Sequence, residues 1–164
     1  MNDILYRDAE NEKLGKNGIY YLATPCIETS LGYNTCVQDM LLQSWGNKIR
    51  VFPALPDSWK DAAFENFRAE GAFLISARRE SGKTIFVKIK SLAGEPCIIC
   101  PAMDGLPRMI SKNNAKMVEM GNGFYRLDIR RGEEVILYQG ERVPDCMIEP
   151  LPLEPDKINH FGIN

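Results

Sequence analysis

The feature that most constrains this chain is a change of hydrophobic period inside the segment from Ile27 to Phe64. Before Gly46, the residues Cys36, Val37, Met40, Leu41 and Ser44 recur at three- and four-residue intervals, the spacing of one face of a helix. After it, Lys48-Ile49-Arg50-Val51-Phe52 alternates polar and apolar side chains with the period of two of a half-buried strand, and Pro53 closes the run. The spacing predicts a helix from about Tyr33 to Ser44, with Asn34 or Thr35 able to cap its start and Gly46 supplying a left-handed stop. Asp57 or Ser58 can then cap one helical turn around Trp59 to Phe64. Two architectures meet near Gly46, and about a quarter of the chain lies on the amino-terminal side.

From Phe67 onward, short strands are separated by turn residues. Ala72 to Arg79 and Thr84 to Ser91 flank Ser81-Gly82 and form the clearest hairpin, with Ile85, Val87 and Ile89 facing one way and Lys88 and Lys90 the other. Pro96 to Pro101, Lys116 to Met120, Phe124 to Ile129 and Glu134 to Tyr138 supply further strands around the turns Gly121-Asn122-Gly123 and Arg131-Gly132. Closely spaced strands without long intervening helices favour an antiparallel sandwich over a parallel-sheet fold. The fold class expected is therefore mainly β: a sandwich preceded by one helix. Residues 1–46 are expected to hold the leader and helix, 47–142 the sandwich, and 143–164 a proline-rich extended tail carrying Pro144, Pro150, Pro152 and Pro155.

Composition excludes several function classes. A net charge of −2, made of interspersed acidic and basic residues, offers no basic face for nucleic acid. No apolar run approaches a membrane span, and residues 1–15 lack the basic start and apolar stretch of a signal peptide, so the sequence assigns no compartment. Five cysteines form an odd, scattered set. Cys97-Ile-Ile-Cys100 reads as a strand, which turns the two thiols to opposite faces, and a single histidine, His160, leaves a zinc site without ligands. Neither a metal nor a cofactor is expected. A nucleophilic triad would have to use His160, in the tail.

Most carboxylates sit at turns or beside basic residues, where a solvated surface is the default. Glu28 differs, because it lies between Ile27 and the small Thr29-Ser30 pair, in a stretch with no balancing lysine. It can serve chemistry, a cap or a hydrogen bond. Trp45 and Trp59, with Tyr20, Tyr21 and Tyr33, could offer stacking faces to a sugar. Against that stands their placement, at a helix end and in a short helical turn, where the seam between layers buries indoles.

The segment from Cys26 through Phe64, continued by Phe67-Arg68-Ala69-Glu70-Gly71-Ala72-Phe73 and Lys90-Ser91-Leu92-Ala93-Gly94-Glu95-Pro96-Cys97, resembles the carboxy-terminal end of glycoside hydrolase family 95, the α-L-fucosidase family. Met40-Leu41-Leu42-Gln43-Ser44 and Arg50-Val51-Phe52-Pro53-Ala54-Leu55-Pro56 are its most diagnostic pieces, within a resemblance that runs from about residue 19 to 142. The resemblance implies that the helix is left over from an (α/α)6 catalytic barrel, on which the sandwich packs. It also implies inverting hydrolysis of a terminal fucosyl linkage by a glutamate general acid, with water held by asparagines that an aspartate polarises. That aspartate aligns with Glu28, whose side chain is longer by one methylene. The segments for the acid and the asparagines have no counterpart here, so the chain is expected to be a carboxy-terminal fragment, inactive alone. A fucosylated glycan is the implied partner. Two other roles compete: a stand-alone carbohydrate-binding sandwich using Trp45 and Trp59, and self-association through the apolar face of the Tyr33 to Ser44 helix.

Overall fold

The structure, a computed structural model, describes residues 27–149. The leader and the tail from Pro150 lie outside the described residues. A helix, α1 (Ile27–Leu41), runs directly into β1 (Leu42–Trp45), followed by β2 (Lys48–Val51), β3 (Ala62–Ala69), β4 (Phe73–Glu80), β5 (Lys83–Ser91), β6 (Cys97–Cys100), β7 (Arg108–Ser111), β8 (Lys116–Gly121), β9 (Phe124–Asp128) and β10 (Glu134–Tyr138). Residues 38–149 form one compact unit, and 27–37 belong to a separate one.

The strands make two five-stranded sheets, sheet A in the order β1-β2-β6-β9-β8 and sheet B in the order β3-β4-β5-β10-β7. Every pairing is antiparallel except β2 with β6, where Ile49 sits beside Ile99 and Arg50 beside Cys100. The chain changes sheet after β2, β5, β6, β7 and β9, so the two layers are tied by many crossings. Their inner faces fill one core: Ile49, Val51, Cys97, Ile99 and Leu127 from sheet A meet Phe73, Ile75, Val87, Ile89 and Leu137 from sheet B. This is the antiparallel-dominated sandwich that the alternation anticipates.

Three local assignments differ from the sequence reading. The helix begins at Ile27 and ends at Leu41, so Asn34 and Thr35 lie inside it, where Thr35 Oγ1 donates to Leu31 O at 3.0 Å. Leu42 to Trp45 is a strand, paired with β2 from Leu42↔Val51 to Trp45↔Lys48. Gly46 and Asn47 are its two-residue turn, with φ of 66° and 58°, the left-handed pair that a type I′ hairpin requires. Gly46 thus ends a strand, and the expected division at residue 46 falls within a hairpin.

The helical turn expected from Trp59 to Phe64 does not form: a turn closed by Trp59 N–H to Pro56 O comes first, and β3 starts at Ala62. Phe64 and Phe67 both face the core although they are three residues apart, because the pairing with β4 slips between them. Asn66 takes up the slip at φ 56°, and its N–H donates to Ser76 Oγ at 3.0 Å. Phe52, just after β2, also has a left-handed φ of 51°, which bulky side chains rarely adopt. Its buried ring meets Phe64 edge-on at 5.4 Å, and its N–H donates to Leu41 O at 2.7 Å.

Candidate functional site

Strand alternation builds a patch on the outer face of sheet A. In β2 the inward Ile49 and Val51 are buried, which turns Lys48 and Arg50 outward. The tight Gly46-Asn47 turn sets Trp45 opposite Lys48. Across the sheet, Arg50 lies beside Cys100 of β6, and Ile99 pairs with Tyr125, so the start of β9 brings Phe124 to the far side of Cys100. The small cysteine leaves room for a long side chain to cross. Arg50 does so: its guanidinium carbon is 4.4 Å from the Trp45 ring centroid and 5.6 Å from that of Phe124. Lys48 Nζ lies 5.3 Å from the same Phe124 ring.

Trp45 remains 61% exposed, so the hairpin does not bury its indole. Trp59 is 39% exposed in the turn closed by its N–H to Pro56 O. The expectation that both indoles pack in a seam is therefore overturned. The two are not brought together either. Asn47 N–H donates to Glu70 Oε2 and Glu70 N–H to Ser44 Oγ, which places the Trp45 hairpin at the end of β3, whereas Trp59 precedes its start. Eight extended residues separate those ends, about 26 Å. Glu28 lies in the first turn of α1, and its side chain is outside the described residues.

The clefts along the sandwich include three bordered by acids, of which Glu133, Asp128 and Glu70 are committed to structure. One, of about 380 Å³, is bordered by Gly94, Asn113, Lys116, Asp128 and Glu133. Glu133 accepts from Ser111 Oγ at 2.6 Å and from Arg130 N–H at 3.0 Å, and these bonds, the Ser111 hydroxyl foremost, hold its carboxyl below the ordinary glutamate range. Asp128 pairs with Arg126 at 3.1 Å. A second cleft, of about 340 Å³, is bordered by Asn47, Ile49, Glu70, Phe73 and Glu95, with Glu70 held by the Asn47 N–H. The third, of about 430 Å³, lies among Gln38, Asp39, Ser44, Asn66 and Arg68. Among the described residues no three His, Cys, Asp or Glu side chains gather into a metal-binding group.

Cys97 is buried in the core and Cys100 half-buried on the outer face, as the strand reading of Cys97-Ile-Ile-Cys100 requires. Burial pushes the Cys97 thiol up to about 12. Since the thiolate is the nucleophile, Cys97 is expected to escape iodoacetamide at pH 8 in the native chain and to react once the chain is unfolded. Peptide mass spectrometry reads this, and native labelling of Cys97 as complete as that of exposed Cys36 would show the core to be open.

A family profile described as glycoside hydrolase family 95, C-terminal domain, matches residues 43–137, more than half of the chain. The chain belongs to this family. The match starts in β1 and ends in β10, and so spans the sandwich of this family 95 C-terminal domain from its first strand to its last. Membership joins β1 to the sandwich and points to carbohydrate as the general class of partner. No curated protein matches the chain. Lys48, Arg50 and Phe124 were not candidates on sequence. The alternation of β2 puts both cations on its polar face, but their aromatic partner in β9 is set by tertiary pairing alone.

Proposed function

We propose that the chain supplies the C-terminal sandwich, with one adjoining helix of the catalytic layer, of an α-L-fucosidase-like glycoside hydrolase, and that it does not hydrolyse glycosides by itself. The family match over the whole sandwich carries this reading. Helix α1 supports its second part, since Leu31 and Tyr33 are exposed large hydrophobic side chains of the kind a layer of neighbouring helices covers. Inverting hydrolysis needs an acid on one side of the sugar and a group that positions water on the other. In the described clefts, Glu133, Asp128 and Glu70 are each taken up by protein donors or a cation, and Glu95 and Asp39 stand in two separate clefts with no second uncommitted acid beside either. Glu28 keeps the position of the family's aspartate by resemblance, and one carboxylate does not complete an inversion.

Incubation with an aryl α-L-fucoside is expected to give no release of the leaving group above the uncatalysed rate. Adding a separately produced helical domain of a family 95 enzyme that lacks its own sandwich is expected to restore turnover. Hydrolysis by the chain alone, lost on Glu28→Ala, would overturn the proposal.

A further inference from the structure

We propose that the outer face of sheet A, at Trp45, Lys48, Arg50 and Phe124, binds a glycan that carries an anionic group, either a uronate carboxylate or a sulfate. The inference takes its ligand class from the family reading above and adds a site and a charge.

The patch has the two halves such a ligand needs. The indole of Trp45 is an exposed flat apolar face on an open sheet, and the C–H face of a pyranose ring can lie on it. Beside it stand two cations with no carboxylate partner: among the described residues the ion pairs are Arg78 with Glu80 and Arg126 with Asp128, and neither involves Lys48 or Arg50. The guanidinium carbon of Arg50 lies over the Trp45 and Phe124 rings, which supply no hydrogen-bond acceptor in the ring plane to its N–H groups. Its Nη1 is enclosed and has no hydrogen-bond acceptor. That donor is closed to a ligand as well as to water, so a planar or tetrahedral oxyanion would pair in bidentate form with Nε and Nη2, which are not among the enclosed donors. The two ring contacts hold the guanidinium in advance, so little side-chain freedom is lost on binding.

A neutral sugar would leave both cations unused. A protein partner fits less well, because the strand beside Phe124 continues outward with Arg126 and Asp128, and interface centres are depleted of charge.

Calorimetric titration of the full chain with trigalacturonate and with a sulfated galactan oligosaccharide tests the site and separates the two anion sources. Each is compared with its uncharged counterpart, the methyl ester or the desulfated sugar. At least one anionic sugar should bind saturably, and its uncharged form about tenfold or more weakly. Trp45→Ala and Arg50→Met should each reduce affinity about tenfold, with the far-ultraviolet circular dichroism spectrum unchanged. Should Arg50→Met unfold, Lys48→Met replaces it as the test of charge. Four results would overturn the proposal: no saturable binding of either anionic sugar, equal binding of the uncharged forms, binding that survives Trp45→Ala, or a Trp45-dependent dimer in sedimentation without glycan binding. None of these depends on turnover, so glycoside hydrolysis by the chain would remove the preceding proposal and leave this one standing.

Discussion

Replacing Phe73 by alanine is expected to lower the unfolding free energy by about 4 kcal/mol, within the range for truncating a buried aromatic ring. Phe73 opens β4 and is 2% exposed, between Ala69 of β3 and Ser91 of β5. Its ring is also packed locally: a Cβ added at Gly71, whose φ is 79°, would stand 2.6 Å from Phe73 Cε2, so the turn leading into β4 is shaped around it. Domains of this kind hold about 5–15 kcal/mol in total, so one ring is a large share. The loss corresponds to a fall in melting temperature of roughly 15 °C. Phe73 borders the cleft that also touches Ile49 and Pro96. Water can therefore enter the truncated site, which holds the cost below that of an enclosed cavity of the same volume. Phe73→Leu should cost about 1 kcal/mol, and Val118→Ala, on an exposed outer position, less than about 0.5 kcal/mol. Urea unfolding with an unchanged slope measures all three. A loss for Phe73→Ala no larger than that for Val118→Ala would show that the ring does not hold the layers together.

The parts of the fold legible in the sequence are those in which pattern and turn chemistry agree. The β4–β5 hairpin shows this in its turn, where Ser81 and Gly82 adopt the left-handed pair at φ 48° and 78°, and in Val87 and Ile89, which face the core; Ile85 does not join them, because the pairing slips between Arg78 and Arg79. Three strands escaped for separate physical reasons. In β3 the slip at Glu65-Asn66 puts two core phenylalanines three residues apart, and that spacing imitates a helical period. In β1, Ser44 continues the three- and four-residue rhythm of Val37, Met40 and Leu41 with no breaking residue between helix and strand, so Gly46 looks like a helix stop. In β7, one exposed and three half-exposed residues carry no alternation, and the strand exists by pairing with β10 from Val135↔Ser111 to Tyr138↔Arg108. The surface patch follows the same division. Outward Lys48 and Arg50 are readable from β2, and exposed Trp45 was a candidate. The row Arg50, Cys100 and Phe124 depends on one parallel and one antiparallel register, which no local pattern encodes.

Glu133→Ala is expected to cost about 2 kcal/mol at neutral pH, and the loss should vanish in acid. The carboxylate accepts from the Ser111 hydroxyl and the Arg130 N–H, while the same hydroxyl oxygen accepts from Asn113 and Ala115 N–H at 3.2 and 2.9 Å. Ser111 leads from β7 in sheet B to β8 in sheet A, and Arg130 to Glu133 leads from β9 in sheet A to β10 in sheet B. One carboxylate therefore pins two crossings between the layers. The backbone at Glu133 extends the clamp, since its carbonyl accepts from Ser91 N–H at 2.9 Å. The Ser111 hydroxyl first, then the Arg130 N–H, with smaller help from Asn113 and the Arg130 charge, outweigh the opposing effect of burial and lower the carboxyl below its ordinary value of 4.5. A group depressed on folding stabilises the native state fully above its unfolded value. Its contribution drains away as pH falls below about 4.5 and through the native value. Denaturation of the wild type and Glu133→Ala should thus differ by the full amount at pH 7 and converge toward pH 3. Glu133→Gln keeps one acceptor and no charge, so it should recover part of the stability at pH 7 and show a weaker acid dependence than the wild type. A constant gap between wild type and Glu133→Ala from pH 7 to pH 3 would mean that packing, and not the ionised carboxylate, joins these two crossings.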